Sequence, residues 1–284
     1  MVVELPYSLH SRYASIAIAW TVIIIPPVFI NLGLFYGLWY GKPEIDRLHV
    51  LTLPTAVLGI FTAIAIVDRV WKLTRSSPEY RPLNSPRHAL DIFQWGYFLA
   101  LILISALITS ALARGDADQD GHDLQIRLIS LPAAVLMYLV ATLALLSLAL
   151  SRLELKLPFR FGSLDAGNVV RPAIFYIVED IVAVDGGGGL EYRKAFIARY
   201  DSSPIFRRMI WDLSVVWMLY FYVFAVLLTV LVFTLPKAAV YVVGWAGPFP
   251  FAGLLAIWTI FHVKSELRKE RKGPLENERT PLLS

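Results

Sequence analysis

Six runs of this sequence are long, apolar and free of Asp, Glu, Lys and Arg: residues 16–40, 50–67, 93–113, 128–150, 213–235 and 238–263. A bilayer core of about 30 Å takes about 20 helical residues, and one charge at a helix centre costs roughly 2.5–3.5 kcal/mol on insertion scales. The runs are apolar on every side, so their surroundings are lipid or other helices. The expected fold class is all-α, a polytopic integral membrane bundle with six transmembrane helices. Charged residues make up 17% of the 284, against about 25% in a soluble domain, and they cluster between the runs.

Those clusters give an orientation. Segments 1–15, 68–92, 151–212 and 264–284 hold 21 of the lysines and arginines, and the intervening loops hold five (Lys42, Arg47, Arg114, Arg127, Lys237). The positive-inside rule then puts both termini and the two long loops in the cytosol. The expected organisation is a cytosolic N-terminus over 1–15, helices 1–4 within 16–150, a cytosolic loop over 151–212, helices 5 and 6 within 213–263, and a cytosolic tail over 264–284. The first apolar run is too long for a cleaved signal and is expected to remain as an anchor. The net charge of +4 belongs to this loop asymmetry. No basic stripe with stacking aromatics marks a nucleic-acid partner. The absence of cysteine removes disulfides, thiolate metal sites and palmitoylation.

Within the spans, Gly33, Gly37 and Gly41 form a small-residue ladder on one helix face. It serves either packing within the chain or an oligomer contact. Pro26 and Pro27 are expected to kink that helix. A string recurs at three span starts: Thr52-Leu53-Pro54, Ser130-Leu131-Pro132 and Thr234-Leu235-Pro236. There the hydroxyl could cap a helix and the proline sit in its first turn. The string reflects either an internal repeat or convergence.

The loop over 151–212 opens with Arg152, Lys156 and Arg160, placed to reach lipid phosphates. Residues 172–184 are apolar but too short to span, and they carry Glu179 and Asp180. Four glycines at 186–189 follow Asp185. Leu190-Glu191-Tyr192 stands where a phosphate-binding loop would need Gly-Lys-Ser/Thr, so the glycines read as a flexible hinge. Residues 190–200 set Tyr192, Ala195, Phe196 and Tyr200 against Glu191, Arg193, Lys194 and Arg199, the pattern of an amphipathic helix in the interface plane.

Glu179, Asp180 and Asp185 are the candidate catalytic or metal-binding groups, with Arg193, Lys194, Arg207 and Arg208 as candidate phosphate ligands. The competing reading makes the two adjacent carboxylates a wet helix edge, or partners of Arg171, Arg193 or Arg207. Asp116, Asp118 and Asp120 match half of a calcium loop, but Arg127 replaces its bidentate glutamate. A solvated turn is the alternative. The five histidines lie at span ends or in loops, which disfavours axial haem ligation. No cofactor is identifiable. The tail, with Glu278, Leu282 and Leu283, matches an acidic dileucine signal read by adaptor complexes on endosomal or vacuolar cargo; the alternative is an unread tail.

Residues 51–58, Asp91-Ile92-Phe93-Gln94-Trp95-Gly96-Tyr97 and 179–193 (EDIVAVDGGGGLEYR) resemble an uncharacterised family of filamentous-fungal multi-pass membrane proteins. The resemblance implies no activity, but it makes a fungal vacuole or endosome a sensible address. Three functional expectations follow: a transport or accessory component for a neutral or apolar solute, a lipid- or terpenoid-modifying enzyme with a carboxylate site, or a scaffold subunit.

Overall fold

The computed structural model describes residues 4–6, 21, 24–41, 44–75, 77–113 and 119–279. The described residues are all-α, with only isolated bridges Lys156–Val169 and Phe161–Leu164. A π-helical turn, Ile25–Ile30, leads into α1 (Asn31–Gly41). There follow α2 (Arg47–Thr74), α3 (Ile92–Leu112), α4 (Gln119–Ile129), α5 (Pro132–Arg152), α6 (Ala173–Val184), α7 (Gly189–Ser202), α8 (Pro204–Thr234), α9 (Lys237–Ala246) and α10 (Pro248–Arg279). Five segments are long and apolar enough to cross a membrane: Leu48–Thr74, Ile92–Leu112, Pro132–Arg152, Pro204–Thr234 and Lys237–Arg271. Part of the first expected span lies outside the described residues. The strain of Pro26 and Pro27 is absorbed by π winding around them, one of the recognised ways a helix accommodates lost hydrogen bonds.

Local chemistry sets the helix starts. Asp46 caps α2 by accepting from Leu48 N at 3.3 Å, Asp91 caps α3 through Gln94 N at 2.8 Å, and Ser203 caps α8 through Phe206 N at 3.2 Å. The recurring strings work otherwise. Pro132 opens α5 and Pro236 immediately precedes α9, but Pro54 lies inside α2. None of the three hydroxyls caps. Thr52, Ser130 and Thr234 each donate backward to the carbonyl four residues earlier, at Leu48, Ile126 and Val230, a habit of Ser and Thr in apolar helices.

The bundle is centred on α5 and α8, its most extensive helix contact. Ala141, Ala144 and Ala225 are buried there, and small residues let backbones approach. Thr142 Oγ1 and Tyr222 OH meet at 2.9 Å. At one end, Phe35 stacks on Tyr241 at 3.7 Å, and Tyr241 donates to Asn31 Oδ1 at 2.9 Å. Asp123 pairs with Lys237, and Arg127 donates to the Val232 carbonyl. Those two residues therefore join α4 to the α8–α9 corner. Asp116 and Asp118 lie outside the described residues, as does the side chain of Asp120. Gly121, expected at a calcium-loop turn, falls within α4.

At the other end, the 151–212 segment folds into a cap with its own core. Leu157, Leu164, Val170, Ile174, Phe175, Tyr192 and Phe196 are buried together with Phe206, Met209, Ile210 and Leu213 from the first turns of α8. Leu5, Ile92, Val263 and Leu267 pack against the same cluster. α8 is thus longer than its apolar run. Its 31 residues extend about 46 Å at 1.5 Å per residue, so its first turns belong to the cap. Arg199 on α7 pairs with Glu270 on α10, both buried, and Arg171 pairs with Asp201 at 2.8 Å. The apolar face of α7, expected toward lipid, packs on protein, with Tyr192 and Phe196 inside the cap core.

Candidate functional site

The site is built on a helical hairpin. α6 ends where Asp185 N and Gly186 N both bond the Ile181 carbonyl at 2.9 Å, and Gly188 N bonds Val182 O at 2.9 Å. Gly187 and Gly189 take φ of +67° and +62°, a region that disfavours side chains. A Cβ on Gly188 would lie 2.8 Å from Tyr192 Cβ and 3.0 Å from Val182 O. The glycine run is therefore a tightly packed reversal and not a loose hinge. It lays α7 back on α6 and faces Arg193 toward Glu179 and Asp180.

Arg193 is completely buried, and both carboxylates are at most 2% exposed. Its Nη1 donates to Asp180 Oδ1 at 2.6 Å and to Glu179 Oε1 at 3.0 Å, and its Nη2 to the Tyr80 carbonyl at 3.3 Å. The second Asp180 oxygen accepts from Phe93 N, at the start of α3, at 3.0 Å. Asp91, fully buried, receives Arg69 Nη2 at 2.5 Å and stands 3.8 Å from Arg193 Nη2. Arg69 also pairs with Asp185, and its guanidinium lies 4.7 Å over the Phe93 ring. One network of two guanidiniums and four carboxylates thus joins the ends of α2 and α3 to both helices of the cap hairpin.

Four carboxylates against two guanidiniums leave an excess of negative charge in a buried place. Burial pushes the Asp180 carboxyl up to about 7; the Asp91 charge adds to the effect, Arg193 opposes it and Glu179 adds again. Burial likewise raises Asp185, against the pull of Arg69. A carboxyl raised above its unfolded value of about 3.9 binds a proton in the fold that the unfolded chain releases. Its stabilising contribution is complete below about pH 4 and fades as the pH rises through about 7. The melting temperature of the purified protein is expected to fall between pH 4.5 and 8, and Asp180→Asn to flatten that slope. A wild-type profile as flat as the variant's would contradict the assignment.

Of the residues singled out in the sequence, the structure joins Glu179, Asp180 and Arg193 directly, and Asp185 through Arg69. Lys194 is exposed and pairs with Glu191 at 3.0 Å; Arg207 donates to the Asp201 carbonyl at 2.9 Å; Arg208 lies 3.9 Å from Asp212. These three form no common anion site with Arg193. Among the described residues no group of three His, Asp or Glu side chains is placed to hold a metal ion. Arg69 and Asp91 were not anticipated. The signal for Asp91 was available, an acidic residue directly before an apolar run with Gln three positions on, the mark of a helix N-terminus. Gly33, Gly37 and Gly41 would each accept a Cβ with nothing within 4 Å, so the ladder packs on no described part of the chain. Leu282 and Leu283 lie outside the described residues, as does the side chain of Glu278.

The network links the cap to the bundle, and a single family description spans both. A model for a domain of unknown function, DUF8766, matches residues 2–273. The chain belongs to that family. No curated protein and no solved structure matches it. The DUF8766 match runs from ahead of the first apolar run to the part of α10 beyond Glu270, so bundle and cap form one family unit.

Proposed function

We propose that this chain is a six-span protein of vacuolar or endosomal membranes, of fungal type, with a folded cytosolic cap and a non-catalytic role: transport of, or an accessory function for, a neutral or apolar solute. The observation that carries the non-catalytic reading is the occupation of the acids. Glu179 and Asp180, the best candidates for acid–base work, bond to Arg193 inside the protein, and neither faces solvent. The orientation is supported by loop charge. It is also supported by the meeting of Leu5, Ile92, the 151–212 segment, Val263 and Leu267 at one end, since an even number of spans returns both termini to one side. The spans lack Asp, Glu, Lys and Arg at their apolar centres, which favours uncharged cargo over ions.

Deletion of the gene followed by lipid and metabolite profiling of isolated vacuoles and cytosol tests this reading. An uncharged solute is expected to shift between compartments without chemical change. Accumulation of one lipid with depletion of another that differs by a single reaction step would overturn it in favour of a membrane-embedded enzyme. The address rests on the tail. Leu282→Ala with Leu283→Ala is expected to move the protein from vacuole or endosome to the cell surface, seen by microscopy with an N-terminal tag. An unchanged distribution removes the adaptor complex as a partner.

One observation favours a scaffold role as well: no described atom lies within 4 Å of a Cβ built on Gly33, Gly37 or Gly41. Gly33→Ile with Gly37→Ile is expected to reduce the size of the native complex in mild detergent; an unchanged size argues against that role.

A further inference from the structure

We propose that the hairpin at the start of the cap, from Leu153 to Val170, is a membrane-inserted wedge that dips into the boundary between headgroups and acyl chains. This rests on the membrane reading above and adds a contact beyond the spans.

The hairpin grows directly from a candidate span. α5 ends at Arg152, and Leu155 N bonds the Leu150 carbonyl at 3.1 Å while Glu154 N bonds Ser151 O at 3.1 Å. Glu154 has φ of +49°. This is the helix stop in which a left-handed residue turns the chain back onto the last turn. No linker separates the two, so the hairpin begins at the level where the apolar helix ends. Bonds from Leu157 N to Asn168 O at 2.8 Å and from Val170 N to Leu155 O at 3.0 Å close it.

The hairpin has two unlike sides. Leu157, Leu164 and Val170 enter the cap core. Leu153, Leu155, Phe159 and Val169 are 69%, 46%, 65% and 41% exposed. Beyond the candidate spans and the helical stretch Ile25–Gly41, the one other exposed large hydrophobic among the described residues is Ile181, at 36% less exposed than any of these four. Exposed apolar side chains concentrated in one short hairpin mark a contact surface. The partner is fixed by position and charge. Arg152 and Lys156 stand exposed among these side chains, with Glu154 between them. Long cationic side chains lie with their stems on apolar matter and their heads at lipid phosphate. Trp71 and Trp95, both about 60% exposed, stand near the same ends of α2 and α3, where aromatic residues mark the membrane–water boundary.

The absence of native cysteine makes a direct test possible. Single Phe159→Cys, Leu146→Cys and Glu191→Cys variants of the full chain carry a nitroxide label in phosphatidylcholine–phosphatidylserine nanodiscs. Collisions with oxygen, which concentrates in lipid, are compared with collisions with a water-soluble nickel chelate. Leu146, 52% exposed within α5, reports the span, and Glu191, with its side chain 78% exposed, reports the water side of the cap. The label at 159 is expected to collide more with oxygen than with nickel, as at 146 and opposite to 191. A label at 159 that behaves as at 191, or is shielded from both reagents by a second protein surface, overturns the wedge while leaving the span reading intact. Nickel access at 146 overturns the span reading itself.

Discussion

Replacing Arg193 by alanine is expected to cost about 3–5 kcal/mol of stability, the range for removing one partner of a buried ion pair. The penalty arises from what is left behind. Glu179, Asp180 and Asp91 are at most 2% exposed, and without the guanidinium their charges have neither water nor a full set of donors. Arg69 cannot substitute, because it is already shared between Asp91 and Asp185. The measurement is the melting temperature in detergent, read with the monodisperse fraction on gel filtration. Glu179→Gln together with Asp180→Asn in the Arg193→Ala background should recover part of the loss, since neutral side chains no longer need a cation. A loss under about 1 kcal/mol, the scale of an exposed pair, would mean that the network does not hold the cap.

The second large effect is expected at Gly244. A Cβ there would lie 2.2 Å from the Ser130 carbonyl oxygen and 2.7 Å from Ser130 Cβ. Ser130 cannot give way easily: its amide bonds the Ile126 and Arg127 carbonyls and its hydroxyl bonds Ile126 O again. Overpacking against mobile side chains costs about 1–3 kcal/mol, and a clash with anchored backbone belongs at or above the top of that range. Gly244→Ala should therefore lower the melting temperature clearly, and Gly244→Val should lower it further. Gly33→Ala is the contrast. No described atom lies within 4 Å of a Cβ there, so the stability of the isolated chain should hardly change, and equal losses at 244 and 33 would contradict the packing described.

Hydropathy made the long helices legible because an apolar run of span length has few other uses. It did not show where they end. α2 and α8 continue past their apolar runs because Asp46 and Ser203 provide caps, and because Phe206, Met209 and Ile210 find a core in the cap. Glu179 and Asp180 stood out as ionisable groups in an apolar stretch. Consecutive helix positions point about 100° apart, so the pair need not share a face, and the sequence left Arg171, Arg193 and Arg207 as alternative partners. Of these it is Arg193 whose Nη1 reaches both, because the glycine turn lays α7 back on α6. Arg69 and Asp91 escaped notice because their partners are distant in sequence, and charge near a span end reads first as loop polarity. The periodicity of 190–200 correctly marked an apolar face. Periodicity cannot say whether protein or lipid covers that face, and here protein does.

The central claim is that the cap and both termini share one side of the membrane, fastened to the bundle through the Arg193 network. Labelling of single Glu191→Cys and Glu44→Cys variants in sealed membrane vesicles, cytosolic face outward, with a membrane-impermeant maleimide tests this most directly. Both positions are exposed, Glu191 on the cap and Glu44 at the far end of the bundle. The account expects Glu191→Cys to react in intact vesicles and Glu44→Cys only after permeabilisation. Reaction of both before permeabilisation, or the reverse order, would contradict it.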